Sequence, residues 1–165
     1  MLPSCPHCGT DYVRRTDRAG MVERLFSYAY LYPFRCQLCT HRFRSLQWGV
    51  RYAEDFVDKR EYERLAIRVP ASFSGDQIQG EGTVTDISLG GCTLEATVQF
   101  FEGTTLRLVL KTSERKPVVT VDAVVVRSVR PTCAGLQFVQ LRPDQQERLS
   151  RFVSDKLGLK PAQLS

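Results

Sequence analysis

Lys59-Arg60-Glu61-Tyr62-Glu63-Arg64-Leu65-Ala66-Ile67-Arg68-Val69-Pro70-Ala71-Ser72-Phe73-Ser74 is the stretch in which the chain changes period. Its first part is charged and aperiodic. From Ile67 onward, Ile67, Val69, Ala71 and Phe73 alternate with other side chains, the pattern of a strand buried on one face. Similar runs recur downstream between turn clusters. Gly82 to Ile87, Cys92 to Ala96, Thr105 to Leu110, Val118 to Val129 and Ala134 to Val139 bring the set to six strands, with Leu106, Leu108 and Leu110 aligned in the fourth. Short strands with no helix between them imply a small antiparallel barrel or sandwich. Pro143-Asp144-Gln145-Gln146-Glu147 then opens a helix with the apolar stripe Leu149, Phe152, Val153 and Leu157, and Gly158 is placed to end it. The expected fold is mainly β, a six-stranded antiparallel barrel with a C-terminal helix over residues 59–157, and 158–165 as a frayed tail.

Ahead of the barrel, Cys5-Pro6-His7-Cys8-Gly9 and Cys36-Gln37-Leu38-Cys39 each put two thiols on one tight turn. Two such turns supply the four ligands of a tetrahedral zinc site, so Cys5, Cys8, Cys36 and Cys39 are the expected metal ligands and the zinc is structural. His7 and His41 then have no vacancy to fill. Between the turns, Met21, Val22, Leu25, Phe26 and Ala29 recur at helical spacing until Pro33, which predicts a short helix. Its apolar face is expected to pack on its own module or the neighbouring domain, or to meet a partner or membrane surface. The two turns resemble the knuckles of a zinc ribbon over residues 5 to 44, within a module spanning 1–48. Residues 49–58 read as a short ordered connector.

With 42% hydrophobic and 25% charged residues, the composition is that of a soluble globular protein. No apolar run approaches the roughly 20 residues that span a bilayer, and no signal-peptide pattern opens the chain, so a cytoplasmic location is expected. Cys92 and Cys133 lack a Cys-x-x-Cys neighbour and read as small hydrophobes. The net charge of +5 is uneven, because residues 1–48 hold seven arginines against Asp11, Asp17 and Glu23. Four thiolates and one zinc ion subtract about two charges from that excess, which leaves a weak footprint for a nucleic acid backbone. The barrel half contains no histidine to activate Ser88, so the chain is not expected to be an enzyme.

Two polar elements flank the first strands. Arg60 and Arg64 stand just before the first, and Asp86-Ile87-Ser88-Leu89-Gly90-Gly91 follows the second. Arg-x-x-x-Arg alone says little, since Arg14 with Arg18 and Arg64 with Arg68 fit it equally. Asp-x-Ser-x-x-Gly occurs once. Together with Pro70 and Gly135-Leu136-Gln137-Phe138 in the last strand, this order resembles the PilZ domain over about residues 58 to 155. The resemblance implies binding of the bacterial second messenger cyclic di-GMP by Arg60, Arg64, Asp86, Ser88 and Gly91, with Lys59 bearing on how many ligands are held. It also implies an arginine segment that folds over the ligand and changes the arrangement of ribbon and barrel for a protein partner to read. Arginine forks match phosphate oxygens and the O6/N7 edge of guanine, while a carboxylate matches the N1-H and N2-H2 edge. The same residues admit a ligand-independent PilZ-like adaptor, or a nucleic-acid-binding regulator acting through the ribbon.

Overall fold

The structure, a computed structural model, describes residues 3–17, 20–52, 62–112 and 118–158. Lys59, Arg60 and residues 53–58 of the expected connector lie outside the described residues, as does most of the tail.

Two sheets account for the strands. The N-terminal sheet is antiparallel, ordered β1 (Val13–Arg15), β2 (Leu31–Cys36), β3 (Arg42–Leu46), and α1 (Gly20–Tyr28) lies between β1 and β2 in sequence. The second sheet is a closed barrel of β4 (Leu65–Ser74), β5 (Gln79–Ser88), β6 (Gly91–Glu95), β7 (Thr105–Leu110), β8 (Val119–Val129) and β9 (Cys133–Gln140), ordered β4-β5-β6-β9-β8-β7 with every pair antiparallel. Closure removes both sheet edges, which in a small sheet otherwise leave a row of unpaired backbone groups.

Alternation puts the core where the sequence predicts. Val69, Ala71 and Phe73 of β4 and Leu106, Leu108 and Leu110 of β7 are buried, and Val84, Leu94, Val121 and Leu136 meet them from the other strands. The helix α2 (Pro143–Lys156) covers the barrel with Leu149, Phe152 and Val153 buried. Its buried Gln145 accepts a hydrogen bond from the Thr120 amide at 2.8 Å, tying the helix to β8. The strand boundaries differ from expectation chiefly in β5, which begins at Gln79, three residues before Gly82.

The N-terminal helix departs further from its reading. It ends at Tyr28, Tyr30 takes a positive φ of 60°, and Pro33 lies inside β2 and does not terminate the helix. Its apolar face is turned outward: Met21 is 85% exposed, Leu25 68% and Tyr28 81%, while Glu23 is buried. The side chain that α1 turns inward is charged. Arg42 and Arg44 stand on one face of β3, and their Nη2 atoms meet the two Glu23 oxygens at 2.8 and 3.3 Å. A paired carboxylate fills the helix-sheet contact that a sequence pattern assigns to leucine and methionine.

No helix among the described residues is long and apolar enough to cross a membrane.

Candidate functional site

Three irregularities of the barrel converge on one patch. The register of β4 against β5 shifts between Ala66 and Val69, that of β5 against β6 between Val84 and Asp86, and that of β8 against β9 between Val126 and Ser128. An extra residue in one strand reverses the facing of the residues after it and re-aims a side chain. In β5 the shift keeps Asp86 outward and returns Ile87, fully buried, to the core. In β8 the shift falls at Arg127, which faces outward after buried Val126, and it keeps Ser128 outward as well.

Asp86 meets Arg64 across these irregularities. Nη1 of Arg64 donates to Asp86 Oδ1 at 2.8 Å and to the Thr93 hydroxyl at 2.9 Å. Both members of the ion pair are about a third exposed, with relative side-chain areas of 32% and 28%, so the pair adds little stability and serves mainly to orient the guanidinium. Among the described residues, Nη2 and Nε of Arg64 have no acceptor, and Arg64 lines a cavity of about 270 Å³ with Tyr62, Ser88, Gly90, Gly91, Arg127 and Gln137. Arg127 donates from Nε to Gln137 Oε1 at 2.6 Å, which fixes a second guanidinium beside the first. The site is thus cationic, with one edge of Arg64 open to an anionic, acceptor-rich ligand.

Ser88 and Gly91 hold the floor. The Ser88 hydroxyl, buried, donates to the Gly91 carbonyl at 3.2 Å and accepts from the Gly90 amide at 3.3 Å, so it is engaged by the turn itself. A Cβ on Gly91 would sit 2.2 Å from the Leu136 carbonyl oxygen, which shows that the glycine permits the close approach of β6 to β9. On Gly90 a Cβ would stand 2.7 Å from the Tyr62 ring, which packs against that backbone.

The arginine-bearing segment is also gripped from the N-terminal sheet. Arg35 Nη1 donates to the Tyr62 hydroxyl at 3.1 Å, and the Glu63 amide donates to Gln37 Oε1 at 2.7 Å. Tyr12 donates its hydroxyl to the Glu63 carboxylate. Burial first, then the adjacent carboxylate charge, pushes the Tyr12 pKa up to about 12.

The four cysteines of the two turns come together. One sulfur from each of Cys5, Cys8, Cys36 and Cys39 lies within 4.8 Å of the others, with Cys5 to Cys39 at 3.6 Å and Cys8 to Cys36 at 3.5 Å. A tetrahedral ion with metal-sulfur bonds of about 2.3 Å needs sulfurs about 3.8 Å apart, so the donor set fits one. The amides of Leu38 and Cys39 point at Cys36 Sγ, both at 3.4 Å, a cradle for a thiolate. Desolvation nevertheless raises the Cys36 thiol to about 11, and raises Cys39 further. Around Cys5, burial is outweighed by the amides of Cys8 and His7, and the pKa falls. His7 and His41 are exposed and stack on each other, with centroids 5.5 Å apart.

A family model described as the PilZ domain matches residues 58–155, more than half of the chain. The chain belongs to the PilZ domain family. Solved structures similar to it include two of low identity. One is the PilZ domain of CeSA from a cellulose-synthesizing bacterium, 12% identical, with 58% of this chain and 98% of that one covered and a TM-score of 0.48. The other is the Bacillus subtilis inhibitor of motility MotI/DgrA, 16% identical, covering 79% of this chain and 66% of that one, with a TM-score of 0.55. A comparison with curated protein sequences gave no match.

Of the residues the sequence singled out, the PilZ barrel brings Arg64, Asp86, Ser88 and Gly91 into one patch, and Lys59 and Arg60 fall outside the described residues. Tyr62, Thr93, Arg127 and Gln137 were missed. Gln137 stands within the Gly135-Leu136-Gln137-Phe138 run, and Arg127 interrupts an apolar strand, but the register shift at Arg127 has no sequence signature.

Proposed function

We propose that this protein is a non-enzymatic receptor for cyclic di-GMP, built from a zinc-binding N-terminal module (residues 1–48) and a PilZ barrel (residues 59–157) joined by a connector at 49–58. The observation that carries the reading is the oriented guanidinium of Arg64, held by Asp86 and Thr93 with its remaining edge toward the cavity. Cyclic di-GMP presents phosphate oxygens and guanine O6 and N7 atoms, the acceptors such a fork takes two at a time. Arg60 adds a second fork from the same segment, Arg127 neutralises charge from the barrel side, and Lys59 sets the number of ligands held. Asp86 acts first by orienting Arg64 through Oδ1, and its Oδ2 accepts from the N1-H and N2-H2 edge of guanine. Ser88 and Gly91 contribute the shape of the turn beneath the ligand.

Ligand bound between the arginine segment and the barrel stabilises one placement of that segment, which also touches the N-terminal sheet at Arg35 and Gln37. The ligand then biases the arrangement of the two units, and a protein partner in the cytoplasm reads it. The four thiols hold a structural zinc that fixes the two turns.

Fluorescently labelled cyclic di-GMP titrated with zinc-loaded protein tests the reading. Saturable binding that Asp86→Ala weakens at least tenfold supports it, and equal binding by both proteins overturns the assigned site. A second reading, a ligand-independent adaptor, is favoured by the outward apolar face of α1 and by the engagement of Ser88 within its own turn. Partner binding of equal strength with and without the dinucleotide would select it. The exposed arginines of the N-terminal module favour nucleic acid far less, and a steep salt dependence of RNA or DNA binding would be its mark.

A further inference from the structure

Cys36 is flanked in sequence by the two residues that hold the arginine segment. Arg35, before it, donates to the Tyr62 hydroxyl at 3.1 Å, and Gln37, after it, accepts the Glu63 amide at 2.7 Å. Gln37 is itself buried, at 3% exposure, because it sits inside the Cys36-Gln37-Leu38-Cys39 turn, where its own amide donates to the Tyr12 carbonyl at 3.0 Å. Tyr12 in turn bonds the Glu63 side chain. Three contacts from the thiol module therefore fall on Tyr62 and Glu63, the two residues directly before Arg64. Tyr62 passes the restraint on, since its ring lies against Gly90 in the turn that floors the cavity.

The geometry of the Cys36 turn depends on what joins its sulfurs to those of Cys5 and Cys8. With an ion in place, the turn is closed by bonds to four sulfurs drawn from both ends of the module. With the thiols free of an ion, what remains to position Gln37 is the ordinary hydrogen bonding of a small three-stranded sheet and its turns, chiefly its own amide on the Tyr12 carbonyl at 3.0 Å. A structural zinc site contributes folding free energy outright.

We infer that Gln37 and Arg35 are positioning residues through which occupancy of the four-cysteine site sets the affinity of the barrel for its dinucleotide. The metal site is then a second input to the receptor, and loss of the ion by chelation releases the Tyr62-Glu63-Arg64 segment from its docked position. This rests on the cyclic di-GMP reading of the barrel site for its ligand and on the four-thiol site for its ion. An apparent affinity scales with the fraction of protein already in the binding-competent arrangement, and coupling between two ligands is reciprocal, so the dinucleotide must also raise the equilibrium affinity for the metal by the same factor.

The test uses the full chain in three forms: zinc-loaded wild type, wild type stripped of metal under reducing conditions, and zinc-loaded Gln37→Ala with its metal content verified. Amide hydrogen exchange at Glu63 and Arg64, without dinucleotide, reads the docking directly. Exchange is expected to quicken in both the stripped protein and Gln37→Ala, and unchanged exchange in both overturns the inference. Affinity for cyclic di-GMP is expected to fall at least about tenfold on stripping and by up to about fivefold in Gln37→Ala, the worth of one neutral hydrogen bond. A loss confined to the stripped protein would refute Gln37 as the grip. If zinc-loaded wild type binds no cyclic di-GMP, the ligand reading fails, and the exchange experiment still decides whether the metal holds the segment.

Discussion

Replacing Arg64 by alanine separates a binding role from a structural one. In the folded chain the guanidinium holds two contacts, Asp86 at 2.8 Å and Thr93 at 2.9 Å, and both ends of its ion pair keep about a third of their surface in water. Exposed pairs of this kind contribute between nothing and about 1 kcal/mol, so Arg64→Ala should cost no more than about 1 kcal/mol of stability. For the ligand the same side chain is worth more. Hydrogen bonds to a charged group are worth about 1.5–3 kcal/mol, and each 1.4 kcal/mol is about a tenfold change in affinity. The substitution is therefore expected to weaken cyclic di-GMP binding by about 10- to 150-fold with the melting transition nearly in place. Arg64→Lys keeps the charge but loses the planar fork, and it should recover little of the loss. Affinity from fluorescence titration and stability from urea unfolding, measured on the same three preparations, check both halves. Undiminished binding in Arg64→Ala would refute the assigned role, and a binding loss matched by a large loss of stability would refute the separation.

Gly91→Ala should destabilise the barrel: its Cβ would meet the Leu136 carbonyl oxygen at 2.2 Å, so β6 and β9 must part, and stability to thermal unfolding should fall by about 1–3 kcal/mol or more. Glu23→Ala should loosen α1 by only about 1 kcal/mol, because the Arg42 and Arg44 left behind keep 38% and 50% of their side-chain surface in water; amide exchange across α1 reads it. Zinc binding should release protons. With Cys36 raised by burial to about 11 and Cys39 higher still, both are protonated at neutral pH in the absence of an ion, so at least two protons leave. Affinity then climbs about 100-fold per pH unit, as competition with a coloured chelator between pH 6 and 8 would show, and a pH-independent affinity would contradict it.

How much of this was legible in the sequence depended on which force set each element. The barrel follows from burial alone, and the alternation of Val69, Ala71, Phe73 and of Leu106, Leu108, Leu110 fixed the strands and their inward face. Spacing within the two Cys-x-x-Cys turns was likewise sufficient to bring four sulfurs together. The helix α1 was legible, but of the two readings of its apolar face the packed one is not what forms: nothing in Met21, Val22 and Leu25 shows that Glu23 will be taken by Arg42 and Arg44 from a strand nearly twenty residues on. At the site, Arg64 and Asp86 were visible as unusual polar groups beside apolar strands. Arg127 and Tyr62 were not, because one stands at a register shift and the other is held by a contact with the N-terminal sheet. The close approach of β6 to β9 that Gly91 allows was not legible either, because it depends on the Leu136 backbone of a strand more than forty residues on.

The central claim is that the cavity beside Arg64 takes cyclic di-GMP. Calorimetric titration of the dinucleotide into zinc-loaded wild-type protein tests it most directly and also gives the number of ligands bound. Saturable heat with a defined stoichiometry, lost in Arg64→Ala, is the predicted result. No heat of binding at tens of micromolar ligand, from folded protein with its metal in place, would contradict it.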